Sequence, residues 1–148
     1  MEGQHKVVTI LMADDDDDDC VLAREALQES ELVTKLYIVR DGEELMDYLY
    51  HRGEYESWET ITLPDIILLD LNMPKKDGRE ALKEIKADPK LRQIPVIVLT
   101  TSKAPEDIHR SYDLGANSFI IKPRSFDSLV EVMRNIGKYW FDIVELPL

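Results

Sequence analysis

The chain alternates between short, almost wholly apolar runs and longer stretches in which apolar residues recur every three or four positions. Residues 66–69, Ile-Ile-Leu-Leu, show the first kind most clearly. Four consecutive aliphatic residues leave no polar face, so the run predicts a strand buried on both sides within a parallel sheet. Pro64 before it and Pro74 after it bound the element, because proline lacks the N–H that a central ladder uses. Residues 7–13, 36–39, 95–99 and 118–121 predict four more strands.

The second kind of stretch fills the intervals. Leu22, Ala23, Ala26 and Leu27 share one side of a helix over residues 20–30, with Asp18 or Asp19 placed to cap its first turn. Asp41-Gly42 turns into a second helix with Leu45, Met46 and Leu49 inward. Asp77-Gly78 opens a third, with Ala81, Leu82 and Ile85 inward, which stops at Asp88-Pro89 because proline disfavours a helical residue before it. Pro105, followed by Glu106 and Asp107 at the positive end of the helix dipole, opens a fourth that Leu114-Gly115 closes. Ser125 caps a fifth, with Leu129, Val132, Met133 and Ile136 inward. Residues 51–62 predict a polar surface loop whose Tyr55 and Trp58 either fold back or await a partner. The last ten residues, from Tyr139 to Leu148, are unusually apolar for a chain end and should be tied down on their own domain or on another chain.

Strict alternation of strand and helix predicts an α/β fold: a doubly wound, five-stranded parallel sheet with right-handed crossovers and helices on both faces. The strand order 2-1-3-4-5 is taken from precedent among small doubly wound folds, since spacing alone does not give it. In a parallel sheet every strand exit lies along one edge. Here the exits are Asp14 and Asp15, Arg40 and Asp41, Asp70, Thr100 and Thr101, and Lys122. Asp70 alone reads either as a solvated exit residue or as part of a ligand site. In the assumed order, the switch point between the first and third strands brings it together with Asp14 and Asp15, which favours the site.

Composition narrows the chemistry. The 148 residues fit one domain, with a core over about residues 7–136, and carry a formal charge of −12. That charge repels nucleic acid and anionic membranes, and no stretch reads as a signal peptide or a membrane span. The single Cys20 has no internal disulfide partner and no metal-ligand spacing around it, which points to a reducing, cytoplasmic setting. Two carboxylates about 4 Å apart repel by roughly 4 kcal/mol at an effective dielectric near 20, so three of them require a cation. Oxygen-only ligands, with no His or Cys at hand, suggest Mg²⁺ rather than Zn²⁺.

A carboxylate can act as a nucleophile toward phosphorus if a metal and a lysine offset the developing charge and a hydroxyl meets the new phosphoryl oxygen. Asp70, Mg²⁺, Lys122 and Thr100 would supply those parts. None of His5, His51 and His109 follows a strand, so no general base is offered, which argues against an ordinary hydrolase. An aspartate-nucleophile phosphatase would want a second acid two residues after the first, where Asn72 stands. A flavodoxin-like adaptor that binds partners without phosphorylation is the remaining rival. The run from Asp16 to Asp19 reads as a solvated acidic loop that would strengthen divalent binding through its charge.

Taken in order, Asp14-Asp15, Leu69-Asp70-x-Asn72-Met73-Pro74 with Asp77-Gly78, Pro95 to Thr100, Gly115-Ala116 and Lys122-Pro123 resemble the receiver domain of two-component response regulators over about residues 7–136. The resemblance implies the flavodoxin-like fold and a phosphorelay function: phosphoryl transfer from a sensor histidine kinase onto Asp70. It further implies Asp14, Asp15, Asp70 and the Asn72 carbonyl as metal ligands, and Thr100 and Lys122 as phosphate-contacting groups. Phe119 would be an aromatic switch without a hydroxyl, Asn72 and Ser102 would tune dephosphorylation, and a cis bond would join Lys122 to Pro123. The stretches around Lys75-Lys76, Ile85 to Pro89 and Tyr139-Trp140-Phe141 are most similar to single-domain regulators associated with phytochrome-type histidine kinases. On this reading the chain has no output domain and catalyses only its own phosphorylation and dephosphorylation. The apolar extension of the last helix, residues 137–148, either packs on its own core or serves a homodimer formed through the C-terminal region or the last helix.

Overall fold

The structure is a computed structural model that describes residues 7–30, 34–59 and 62–147. His5, residues 60 and 61 of the predicted loop, and Leu148 lie outside them. The elements run β1 (Val8–Ala13), α1 (Asp17–Glu29), β2 (Thr34–Val39), α2 (Gly42–Tyr50), β3 (Ile66–Leu69), α3 (Gly78–Ala87), β4 (Val96–Thr100), α4 (Pro105–Asp113), β5 (Ser118–Ile121) and α5 (Phe126–Gly137). All strand pairs are parallel, in the order β2-β1-β3-β4-β5. The assumed order and the fold class therefore hold.

Because successive side chains on a strand face opposite ways, the sheet builds two cores. Leu11, Ala13, Ile67, Leu69, Val96 and Val98 point toward α2 and α3, where they meet Leu45, Met46, Ala81, Leu82 and Ile85. Their neighbours Ile10, Met12, Ile66, Leu68, Ile97 and Leu99 point toward α1 and α5, where they meet Ala23, Ala26, Leu27, Val130, Met133 and Ile136. A strand with both faces covered in this way favours apolar residues at every position, which is why β3 reads Ile-Ile-Leu-Leu.

Several local details depart from expectation. Helix α1 begins at Asp17, and its cap is Asp16, whose carboxylate accepts from the Asp19 N–H at 3.1 Å, rather than Asp18 or Asp19. Leu22 faces solvent, while Cys20 takes a buried place on the inner side. On α5, Val130 is fully inward while Leu129 and Val132 lie at the margin of the core. The loop after α2 folds back: a short 3-10 turn at Gly53–Tyr55 buries Tyr55, and Trp58 packs edge-on against Tyr55 at 5.0 Å and Tyr48 at 6.4 Å between ring centres. Tyr55 also donates a hydrogen bond to Glu44 of α2. After α5 the chain continues in wider, π-type turns over Lys138–Ile143. There Trp140 and Phe141 pack against the α1–α5 core, while Tyr139 and Ile143 stay exposed.

Candidate functional site

Sheet register positions the acids. Ala13 pairs with Leu69, so Asp14 and Asp70 leave adjacent strands side by side, and the Asp70 N–H donates to the Ala13 carbonyl at 3.0 Å. Both side chains are buried, whereas Asp15 is exposed. Carboxylate oxygens of Asp14, Asp15 and Asp70 all lie within 4.8 Å of one another. On the other side Thr100 pairs with Ile121, and the Lys122 N–H donates to the Thr100 carbonyl at 2.7 Å. The Thr100 hydroxyl in turn donates to Asp70 Oδ1 at 2.8 Å, and the Asn72 N–H reaches the same oxygen at 3.3 Å. Lys122 Nζ donates to Asp14 Oδ2 and Asp19 Oδ2 at 2.7 Å each and stands 3.4 Å from Asp70 Oδ2.

Glycine makes the approach from below possible. The first turn of α3 crosses under the end of β3 so closely that a Cβ on Gly78 would stand 2.2 Å from the Asp70 carbonyl oxygen. Asp77 closes that turn with a full capping box, accepting from the Arg79 and Glu80 N–H groups while the Glu80 carboxylate reaches back to the Asp77 N–H.

The site carries more negative charge than its lysine can offset. Burial pushes the Asp14 carboxyl above its ordinary value, against the opposing hydrogen bonds from Lys122 and the Asp16 N–H. Burial alone would lower the Lys122 ammonium, but its hydrogen bonds to Asp14 and Asp19, with the attraction of Asp14 and Asp70, hold it above its ordinary value. Both groups therefore bind protons more tightly than usual, Asp14 because burial penalises its charge and Lys122 because three carboxylates share its ammonium. A divalent cation would relieve that imbalance. The exposed Asp15 and the buried Asp14 and Asp70 offer oxygens only, a donor set suited to a hard cation that keeps several of its waters.

The structure thus brings together Asp14, Asp15, Asp70, Thr100, Lys122 and the backbone of Asn72. It does not bring in Ser102, whose hydroxyl donates to Asp107 of α4 at 2.6 Å, an acid also held by Arg79 at 2.8 Å. Phe119 is half-buried on β5, packed against the α2–α3 core. Among the described residues there is no cis peptide bond, so Lys122–Pro123 is trans, the lower-energy form of an X–Pro amide by about 0.5–1 kcal/mol. His51 contacts the Trp58 carbonyl at 2.7 Å and His109 lies on the exposed side of α4, both outside the site. Cys20 is buried beside the acids, and its thiol contacts the Asp14 carbonyl at 3.6 Å. Asp19 is the member of the site that the sequence does not reveal: it reads as one more solvated acid, and a run of identical residues gives no signal that one of them turns inward.

The family model described as the response regulator receiver domain matches residues 10–134. The chain belongs to the response-regulator receiver family. This receiver domain is 44% identical to response regulator Rcp1 of Synechocystis over 138 residues, covering 93% of the chain and 92% of Rcp1. Among solved structures, it resembles the phosphorylated cyanobacterial phytochrome response regulator RcpA with a TM-score of 0.88 at 43% identity, over 97% of this chain and 100% of that one. The Mn²⁺-bound form of Rcp1 matches with a TM-score of 0.85 at 42% identity, over 95% and 99% of the two chains. Receiver domains take a phosphoryl group on an aspartate and bind a divalent cation, and the clustered carboxylates fit both properties. Among the described residues, no helix is long and apolar enough to cross a membrane.

Proposed function

We propose that Asp70 is the phosphoacceptor of a Mg²⁺-dependent phosphorelay step, with a sensor histidine kinase of the phytochrome type as donor. One observation carries the reading: Asp70 is the one carboxylate of the cluster held by a hydroxyl, from Thr100, on one oxygen and faced by an ammonium, from Lys122, on the other. In the transfer, an oxygen of Asp70 attacks phosphorus, the O–P bond forms as the N–P bond of the phosphohistidine breaks, and the imidazole nitrogen leaves with the electron pair and takes a proton from water. Lys122 and the Thr100 hydroxyl then meet oxygens of the phosphoryl group, while the Asn72 N–H keeps the carboxylate oriented. Asp14, Asp15, Asp70 and the Asn72 carbonyl would hold the Mg²⁺, which when bound offsets charge developing on the phosphoryl oxygens. Asn72, two residues past the acceptor, is assigned the tuning of phosphoryl lifetime, a role that Ser102 shares only by leaving Asp107, and Phe119 a change of packing on activation.

The likeness to RcpA, a phytochrome response regulator, supports a phytochrome-type sensor kinase as the upstream partner. The lone, unpaired Cys20 is consistent with work in the cytoplasm. Exposed Tyr139 and Ile143 on the segment after α5 support a homodimer formed through the C-terminal region, separable from the rest by sedimentation of a chain truncated after Gly137. The acceptor assignment is tested with acetyl phosphate and Mg²⁺: the protein gains one phosphoryl group and Asp70→Asn gains none. Phosphorylation of that variant at an undiminished level would refute it.

A further inference from the structure

We infer that Asp19 is a positioning residue for Lys122, a displaceable partner that the phosphoryl group on Asp70 must outcompete; this rests on the assignment of Asp70 as acceptor. An ammonium has three N–H donors, and Lys122 directs them at Asp14, Asp19 and Asp70, with the two short contacts going to Asp14 and Asp19. The donor aimed at Asp70 is held off at 3.4 Å by the two shorter contacts, so a phosphoryl oxygen on Asp70 draws the ammonium closer only by loosening one of them. Asp14 is the less able of the two to yield: its side chain is 1% exposed, so bulk water cannot take the place of the lysine there. Asp19, with a side chain 33% exposed at the first turn of α1, can exchange its lysine contact for water at small cost.

The placement of Asp19 acts on the site in two ways. Its negative charge competes with the phosphoryl group for the same cation, so it weakens the hold of the site on a tetrahedral anion. Its bond also ties α1 to the exit of β5, beside an apolar cavity lined by Leu22, Ala23, Leu99, Pro123, Phe126 and Leu129. Exchange of the lysine therefore releases the α1 end of that cavity in the same step that engages the phosphoryl group.

The test uses beryllofluoride with Mg²⁺, a stable mimic of a phosphoryl group on a carboxylate, titrated against the full chain by calorimetry. Asp19→Asn is expected to bind it about two- to fivefold more tightly, the range set by a partly exposed ion pair. Asp19→Glu restores the charge and should return the affinity toward that of the unaltered protein. Asp18→Asn removes the adjacent charge of the same run from an exposed residue that makes no ion pair among the described residues, and should leave affinity unchanged. Amide hydrogen exchange supplies a second readout: binding should speed exchange in the first turn of α1 in the unaltered protein and leave it unchanged in Asp19→Asn. Equal or weaker binding by Asp19→Asn, or an equal gain in Asp18→Asn, would overturn the inference while leaving the acceptor assignment standing. Failure of the unaltered protein to bind beryllofluoride would instead refute the acceptor assignment and this inference with it.

Discussion

Asp14 and Asp70 sit side by side because the register of two strands puts them there, and their mutual repulsion is a standing cost to the fold. Removing one charge should show it. Asp70→Asn is expected to raise thermodynamic stability in metal-free buffer by about 1–2 kcal/mol, within the range found for relieving unfavourable buried charge, as read from urea unfolding. Unchanged or lower stability would mean that the Thr100 and Lys122 contacts already offset the repulsion. Asp107 behaves in the opposite sense, since hydrogen bonds from Ser102 and then Arg79 hold its carboxyl below the ordinary 3.8. A depressed acid contributes stability that is full above its unfolded value and fades as pH falls through its folded one. Below about pH 4, the unaltered protein should therefore lose stability more steeply than Asp107→Asn does. At Cys20, burial and then the neighbouring Asp14 and Asp19 push the thiol up to about 11. Disulfide reagents at pH 8 should leave it untouched in the native protein and find one thiol after unfolding.

At the scale of elements, β1, β3 and β4 are legible in the sequence because burial on both faces leaves each of them almost wholly apolar, with Thr9 and Thr100 the only polar residues in the three, and α3 because Asp77, Gly78 and Glu80 spell its start. Asp77→Ala removes the capping box and is expected to cost about 1 kcal/mol, measurable by denaturant unfolding. Other features are hidden for physical reasons. The start of α1 lies inside six identical residues, so only the backbone path reveals that Asp16 caps it, Asp18 is solvated and Asp19 turns to Lys122. Leu22 and Val130 trade places with neighbours because apolar residues one position either side of a helical stripe are indistinguishable by period alone. The family resemblance implies a place in the site for Ser102, whereas Asp107, in the first turn of α4, draws its hydroxyl away from the acids.

For the molecule as a whole, residues far apart in the chain converge because parallel strands deliver all their exits to one edge, and that much is readable from the residue types at the strand ends. Lys122 meets Asp14 across 108 positions of sequence. The C-terminal segment is too apolar to be free, and Trp140 and Phe141 do pack on the α1–α5 core, leaving Tyr139 and Ile143 outward. The central claim is that this convergence makes Asp70 the acceptor of a phosphoryl group. Its most direct test is to phosphorylate the protein with acetyl phosphate and Mg²⁺, reduce the acyl phosphate with borohydride, and locate the resulting homoserine by peptide mass spectrometry. Homoserine at position 70 alone is the predicted result; its appearance at position 14 or 15, or nowhere in the chain, would contradict the account.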